Sequence, residues 1–201
     1  EKQSSLVPST DKFFVDLASN HPIYLSNTLY LEQKGWKGVC IEGNPQYFYP
    51  LARYRKCTVI GAFVGGKEHE DGTQVEVVMK GVSGGIVDDD MDNKEKKVKD
   101  SKEKRDLVSI VTIFKHINAP KVIDYFSLDV EGAESLVMAD FPWEDYKFRF
   151  LTVERPKEDL QEALKKHGYR YLKKLSKWGE TLWYHEDSVY LSIDEMIALI
   201  N

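Results

Sequence analysis

The chain has 201 residues, enough for one well-buried α/β domain and too few for two. Its 42% hydrophobic and 12% aromatic content is that of a globular protein, and a net charge of -5 argues against a general nucleic-acid binder, whose footprint is basic. That charge makes small molecules or proteins the expected partners; no apolar run reaches the roughly 20 residues of a membrane span and nothing at the start reads as a signal peptide, and location stays open, with the cytoplasm slightly favoured over a membrane-anchored or secretory full-length form.

Residues 1–12 are polar, contain Pro8, and read as a lead-in segment. The apolar run 13–17 carries Asp16 near its end and passes into Ala18-Ser19-Asn20 and His21-Pro22, the pattern of a buried parallel strand giving way to a loop. Residues 26–34 have helical length and are stopped by Gly35. A second apolar run, 39–41, ends in Glu42 followed by Gly43-Asn44-Pro45. Ligands of open α/β sheets bind at the carboxyl ends of the strands, and an acid about 20 residues past the first turn takes the ribose hydroxyls of a nucleotide. Asp16 or Glu42 alone reads as a helix cap or a solvated acid. Together at two strand ends they point to a nucleoside site, without the glycine-rich fingerprint.

Residues 45–54 form an aromatic-rich predicted helix, and 57–64 a third strand. Cys40 and Cys57 fall on strands that are expected to be neighbours; buried free thiols are the expected state, with a single bridge as the alternative. Residues 74–79 alternate as an exposed strand does, and the glycines of 81–86 mark a turn. Nearly every residue of 88–106 is charged, which predicts a surface loop or a solvated helix extension. A helix is expected over 107–117, ahead of Pro120. The run 122–130 is apolar enough for a central strand buried on both faces. Asp129, Glu131 and Glu134 crowd its exit, where like charges raise one another's pKa. A fifth strand, 148–153, ends in Glu154-Arg155-Pro156. A helix over 158–167 stops at Gly168, a hairpin pairs 169–175 with 181–185, and a last helix spans 192–200 with Ser192 and Glu195 at capping-box spacing. The expected fold is a single α/β domain: a doubly wound, mostly parallel seven-stranded sheet closed by a C-terminal antiparallel hairpin.

VDLASN at 15–20, CIEGNP at 40–45, SLDVEGAE at 127–134 and VERP at 153–156 give the chain its resemblance to the FkbM-type family of S-adenosylmethionine-dependent methyltransferases, over about residues 13–185. The resemblance implies a class I methyltransferase fold and S-adenosylmethionine as cofactor. It implies that the loop bearing Ala18, Asn20 and His21 beyond Asp16 runs under the methionine part. Glu42, with Asn44 beside it, would hold the ribose diol, Ala62 and Phe63 would flank the adenine, and Asp129 and Glu131 would face the methyl group. The reaction expected is O-methylation of a sugar or small-molecule hydroxyl, with a small-molecule or glycan acceptor. Asp129 or Glu131 is the expected base and His21 an outside candidate. The alternative is a binding or scaffold protein that has kept the fold and lost the chemistry. No metal is expected, against a reading in which Asp129, Glu131 and Glu154 hold a divalent cation. The segments 81–105 and 173–180 are the expected rim of the acceptor pocket.

Overall fold

The computed structural model describes residues 12–67, 70–94 and 102–188. In chain order the elements are β1 (Phe13–Leu17), α1 (Leu29–Gln33), β2 (Lys37–Ile41), α2 (Pro45–Tyr54), β3 (Thr58–Ile60), β4 (Phe63–Val64), β5 (Gln74–Val78) and β6 (Gly85–Ile86). They continue with β7 (Lys102–Val108), α3 (Ile110–His116), β8 (Val122–Leu128), α4 (Glu134–Val137), β9 (Lys147–Glu154), α5 (Glu158–Lys166), β10 (Tyr169–Lys174) and β11 (Glu180–His185).

Seven strands form one sheet in the order β10-β11-β9-β8-β1-β2-β3. From β3 to β9 every pairing is parallel, and β11 runs antiparallel between β9 and β10. Helices cover both faces of the sheet, as the side chains of β1 and β2 show. Phe14 and Cys40 point to the side covered by Leu31 of α1 and Leu51 of α2. Val15, Leu17, Val39 and Ile41 point to the other, where Ile113 of α3, Val137 of α4 and Leu160 and Leu164 of α5 complete the larger cluster. The period of two along each strand thus separates two cores, and burying one such Leu or Phe stabilises by about 1.5–3 kcal/mol. Gly38 lets β2 cross the Phe14 ring, which a Cβ would meet at 2.6 Å. At the amino-terminal edge of the sheet, buried Asp124 accepts from the Phe13 amide at 2.9 Å and pairs with Lys12 and Arg149.

A second, smaller sheet, β4-β7-β5-β6, lies outside the single expected one. The predicted strand over 57–64 is two strands: β3 joins the large sheet, Gly61-Ala62 turns the chain away, and β4 pairs with β7 in the small one. Much of the charged run is also ordered. Lys102 to Asp106 belong to β7 and lie antiparallel to β5, with Lys102 Nζ on Glu76 Oε2 at 3.1 Å. The expected loop or helix extension is therefore a strand there; its charged side chains face solvent while the backbone ladder holds it. Leu107 and Val108 end that strand, so α3 begins later than expected, capped by Ser109, whose Oγ accepts from the Thr112 amide at 3.0 Å. The turn 81–86 holds a 3₁₀ turn and β6. The predicted helix over 192–200 lies outside the described residues, as do residues 1–11 of the lead-in. No helix among the described residues is long and apolar enough to cross a membrane.

Candidate active site

β1, β2, β8 and β9 all deliver an acid to the same rim. Asp16, the penultimate residue of β1, is buried, and Thr28 Oγ1 donates to its Oδ2 at 2.5 Å. Thr28 in turn accepts from Arg55 Nη2 at 2.9 Å, and the same fully buried guanidinium reaches Ser26 Oγ and Glu32 Oε2. Burial pushes Asp16 up to about 6 against the Thr28 hydrogen bond and the Arg55 charge. A guanidinium thus backs the first acid without touching it.

The next loop is pinned to the second strand. Ala18 and Asn20 take left-handed backbone, φ 58° and 56°, a conformation that costs a residue with a side chain roughly 1–2 kcal/mol. Two hydrogen bonds offset that cost: the Ser19 amide donates to Ile41 O at 3.2 Å and the Asn20 amide to Glu42 Oε2 at 2.9 Å. Glu42 Oε1 also accepts from the Asn44 amide at 2.7 Å. Asn44 caps α2, its Oδ1 taking the Gln46 amide at 3.0 Å, with Pro45 at the first helical position. Burial raises the Glu42 pKa and the amides of Asn44, Asn20 and Gly43 lower it. An ionised carboxylate offers about four acceptor sites, so beside these three amides Glu42 keeps about one free. Two atoms beside it are buried without a partner, Asn20 Oδ1 and Asn44 Nδ2.

Beyond β8 the chain doubles back through Glu131 (φ 54°) and Gly132 (φ 94°). Glu134 Oε1 closes this turn by accepting from the Val130 and Gly132 amides at 3.0 and 3.3 Å, so Glu134 is a buried structural acid. Asp129 and Glu131 instead line a cavity. Burial pushes Asp129 up to about 6, and Glu131 up to about 7 with the help of the neighbouring Glu154 charge. Glu154, the last residue of β9, is driven up to about 7 by burial and by Asp129. Arg155 Nη2 holds Glu154 at 2.6 Å and Glu131 at 3.5 Å and also pairs with Asp92.

These rims enclose one cavity of about 540 Å³. Asp16, Ala18, Asn20, Glu42, Asn44, Phe63, Asp129 and Glu131 all line it. Two expected cofactor residues do not. His21 is folded onto its own loop, its Nδ1 accepting from the Ile23 and Tyr24 amides. Ala62 lines a smaller neighbouring cavity with Gly43 and Phe63, because the chain has left the large sheet by Gly61. Both expected rim segments contribute, Val82 from one and Ser176, Trp178 and Glu180 from the other. Within the expected rim, sequence reasoning did not single out Glu180 as an acid of the carboxylate cluster. The antiparallel register sets it opposite Glu154, and only strand pairing carries that signal. Arg55 and Thr28 were equally hidden, since their partners lie in distant segments.

A family model, the methyltransferase FkbM domain, matches residues 16–171, from the buried acid of β1 into β10. The chain belongs to the FkbM methyltransferase family. No curated protein matches it. For an FkbM methyltransferase domain the placement of acids is telling. Asp16, Glu42, Asp129, Glu131, Glu154 and Glu180 supply six carboxylates to the cavity wall, and no Lys, Arg or His among the described residues lines it. Two carboxylate trios, Asp92-Glu131-Glu154 and Asp129-Glu134-Glu154, have oxygens within 4.8 Å of one another, a spacing open to a hard cation. In the first trio Arg155 already supplies positive charge to all three members, and in the second Glu134 is occupied by two backbone amides.

Proposed function

We propose that this FkbM domain is a class I, doubly wound methyltransferase that uses S-adenosylmethionine to methylate a hydroxyl of a sugar or another small molecule. The observation that carries the reading is the cavity wall of six carboxylates with no lining cation among the described residues, suited to a sulfonium that also bears an ammonium group. The residues fit the group. Glu42 has an acceptor site left for a ribose hydroxyl, the orphaned Asn44 Nδ2 and Asn20 Oδ1 offer one donor and one acceptor beside it, and the Phe63 ring provides an apolar flank for adenine. Asp16 stands at the methionine end of the same wall. When bound, the cofactor supplies a methyl carbon already activated for displacement. The chain's own residues then have two tasks: to align the acceptor oxygen and to take its proton. Asp129 or Glu131 receives that proton, with Glu154 hydrogen-bonded to Asp129 and titrating in the same range.

Titration calorimetry with S-adenosylhomocysteine tests the reading. The wild-type chain is expected to bind, and Glu42→Ala to weaken binding by about tenfold or more, the worth of a charged hydrogen-bond pair. Unchanged affinity in that variant removes the ribose role. One observation favours the second reading, a binding protein that keeps the fold: both oxygens of Glu42 and one of Asp16 already hold donors of the chain itself. A wild-type chain that takes up no S-adenosylhomocysteine decides for it.

A further inference from the structure

Cys40 and Cys57 stand outside the chemistry proposed above and against each other. Cys40 is fully buried on β2, Cys57 is half-buried just before β3, and their sulfurs are in hydrogen-bond contact at 2.7 Å. Their strands are adjacent and parallel, with Cys40 opposite Val59, so joining the sulfurs leaves the strand register as it is. The Cys57 backbone is fixed as well, its amide donating to Glu32 Oε2 at 2.9 Å.

We infer that Cys40 and Cys57 form a reversible disulfide that staples the cofactor half of the cavity. The segment it closes runs from β2 through α2 to β3 and contains Glu42, Asn44 and Arg55, which are the acid on the ribose side, its helix cap, and the guanidinium that backs Asp16 through Thr28. The chemistry is thiol–disulfide exchange with a small disulfide such as glutathione disulfide. The Cys57 thiolate attacks one sulfur of glutathione disulfide and expels a glutathione thiolate. The Cys40 thiolate then attacks the Cys57 sulfur of the mixed disulfide and expels the second. Two protein thiols are oxidised, one glutathione disulfide is reduced to two glutathiones, and the two thiol protons leave with them. Cys57, the more exposed sulfur, is the one an outside disulfide reaches first. The Cys40 hydrogen bond and burial push the Cys57 thiol up, and the buried Arg55 charge works the other way.

The test is intact mass measurement after incubation of the folded chain with glutathione disulfide, then denaturation and alkylation with N-ethylmaleimide. The expected product is two hydrogens lighter, takes no maleimide, and melts several degrees above the reduced chain, which takes two. Cys57→Ser, the milder change because Cys57 is not fully buried, should take one maleimide and show no gain in melting temperature. Two maleimides after oxidation, a glutathione adduct that never closes, or a bridge between two chains on a non-reducing gel would each overturn the inference. None of these readouts depends on methyl transfer.

Discussion

Glu42 does with one carboxylate what two residues would otherwise do: it holds the Asn20 and Asn44 amides and so fixes both loops of the rim, and it lines the cavity itself. The other acids are held at a cost. Asp16 and Asp129 titrate near 6, and Glu131 and Glu154 near 7, against ordinary values of 3.8 and 4.5. Their folded-state values lie above the unfolded ones, so between about pH 4 and about pH 7 the folded chain binds more protons than the unfolded chain. Stability should therefore fall as pH rises through that window, by an amount on the order of several kcal/mol after discounting the more exposed members. Urea unfolding at about pH 5 and about pH 7.5 measures it, and Glu131→Gln should flatten the slope. Stability that is level, or that rises with pH, contradicts the burial of these acids. The same titrations bear on rate: with Asp129 and Glu131 as proton acceptors, turnover should climb with pH up to about 7.

At the scale of elements, the short segments between strands and helices aim the site. Gly43 separates Glu42 from the cap Asn44, and a Cβ there would meet the Phe63 ring at 2.7 Å. Gly43→Ala is expected to displace that ring, to cost about 1–3 kcal/mol of stability as overpacking does, and to weaken S-adenosylhomocysteine binding severalfold in calorimetry. An unchanged affinity would remove Phe63 from the cofactor wall. This is also the scale at which the sequence was read least well. Strands β1, β2, β8 and β9 were legible because each is a bounded apolar run ending in an acid, and the hairpin because its turn residues separate two such runs. β7 was not legible. Its residues Lys102 to Asp106 are all charged, and what makes them a strand is the ladder to β5, a long-range pairing that composition does not record. The division of 57–64 into β3 and β4 was hidden for a related reason: two strands in different sheets and one continuous strand share the same hydrophobic pattern.

Taken whole, the molecule gathers acids from four parallel strands and from the start of β11 onto one side of the large sheet, and the small sheet adds Val78, Met79 and Gly84 to the same cavity wall. Asp16, Glu42, Asp129 and Glu131 were recognisable because the carboxyl ends of parallel strands share a rim whatever lies between them. The network of Thr28, Arg55 and Glu32 behind Asp16, and the pairing of Glu180 opposite Glu154, depend on packing between segments far apart in the chain and left no local mark. A crystal structure with S-adenosylhomocysteine tests the central claim most directly. The account predicts the adenosyl group in the cavity, its ribose hydroxyls on Glu42, its ring against Phe63 and its sulfur turned toward Asp129 and Glu131. Density for the ligand elsewhere on the molecule, or a cavity left empty at saturating ligand, would contradict it.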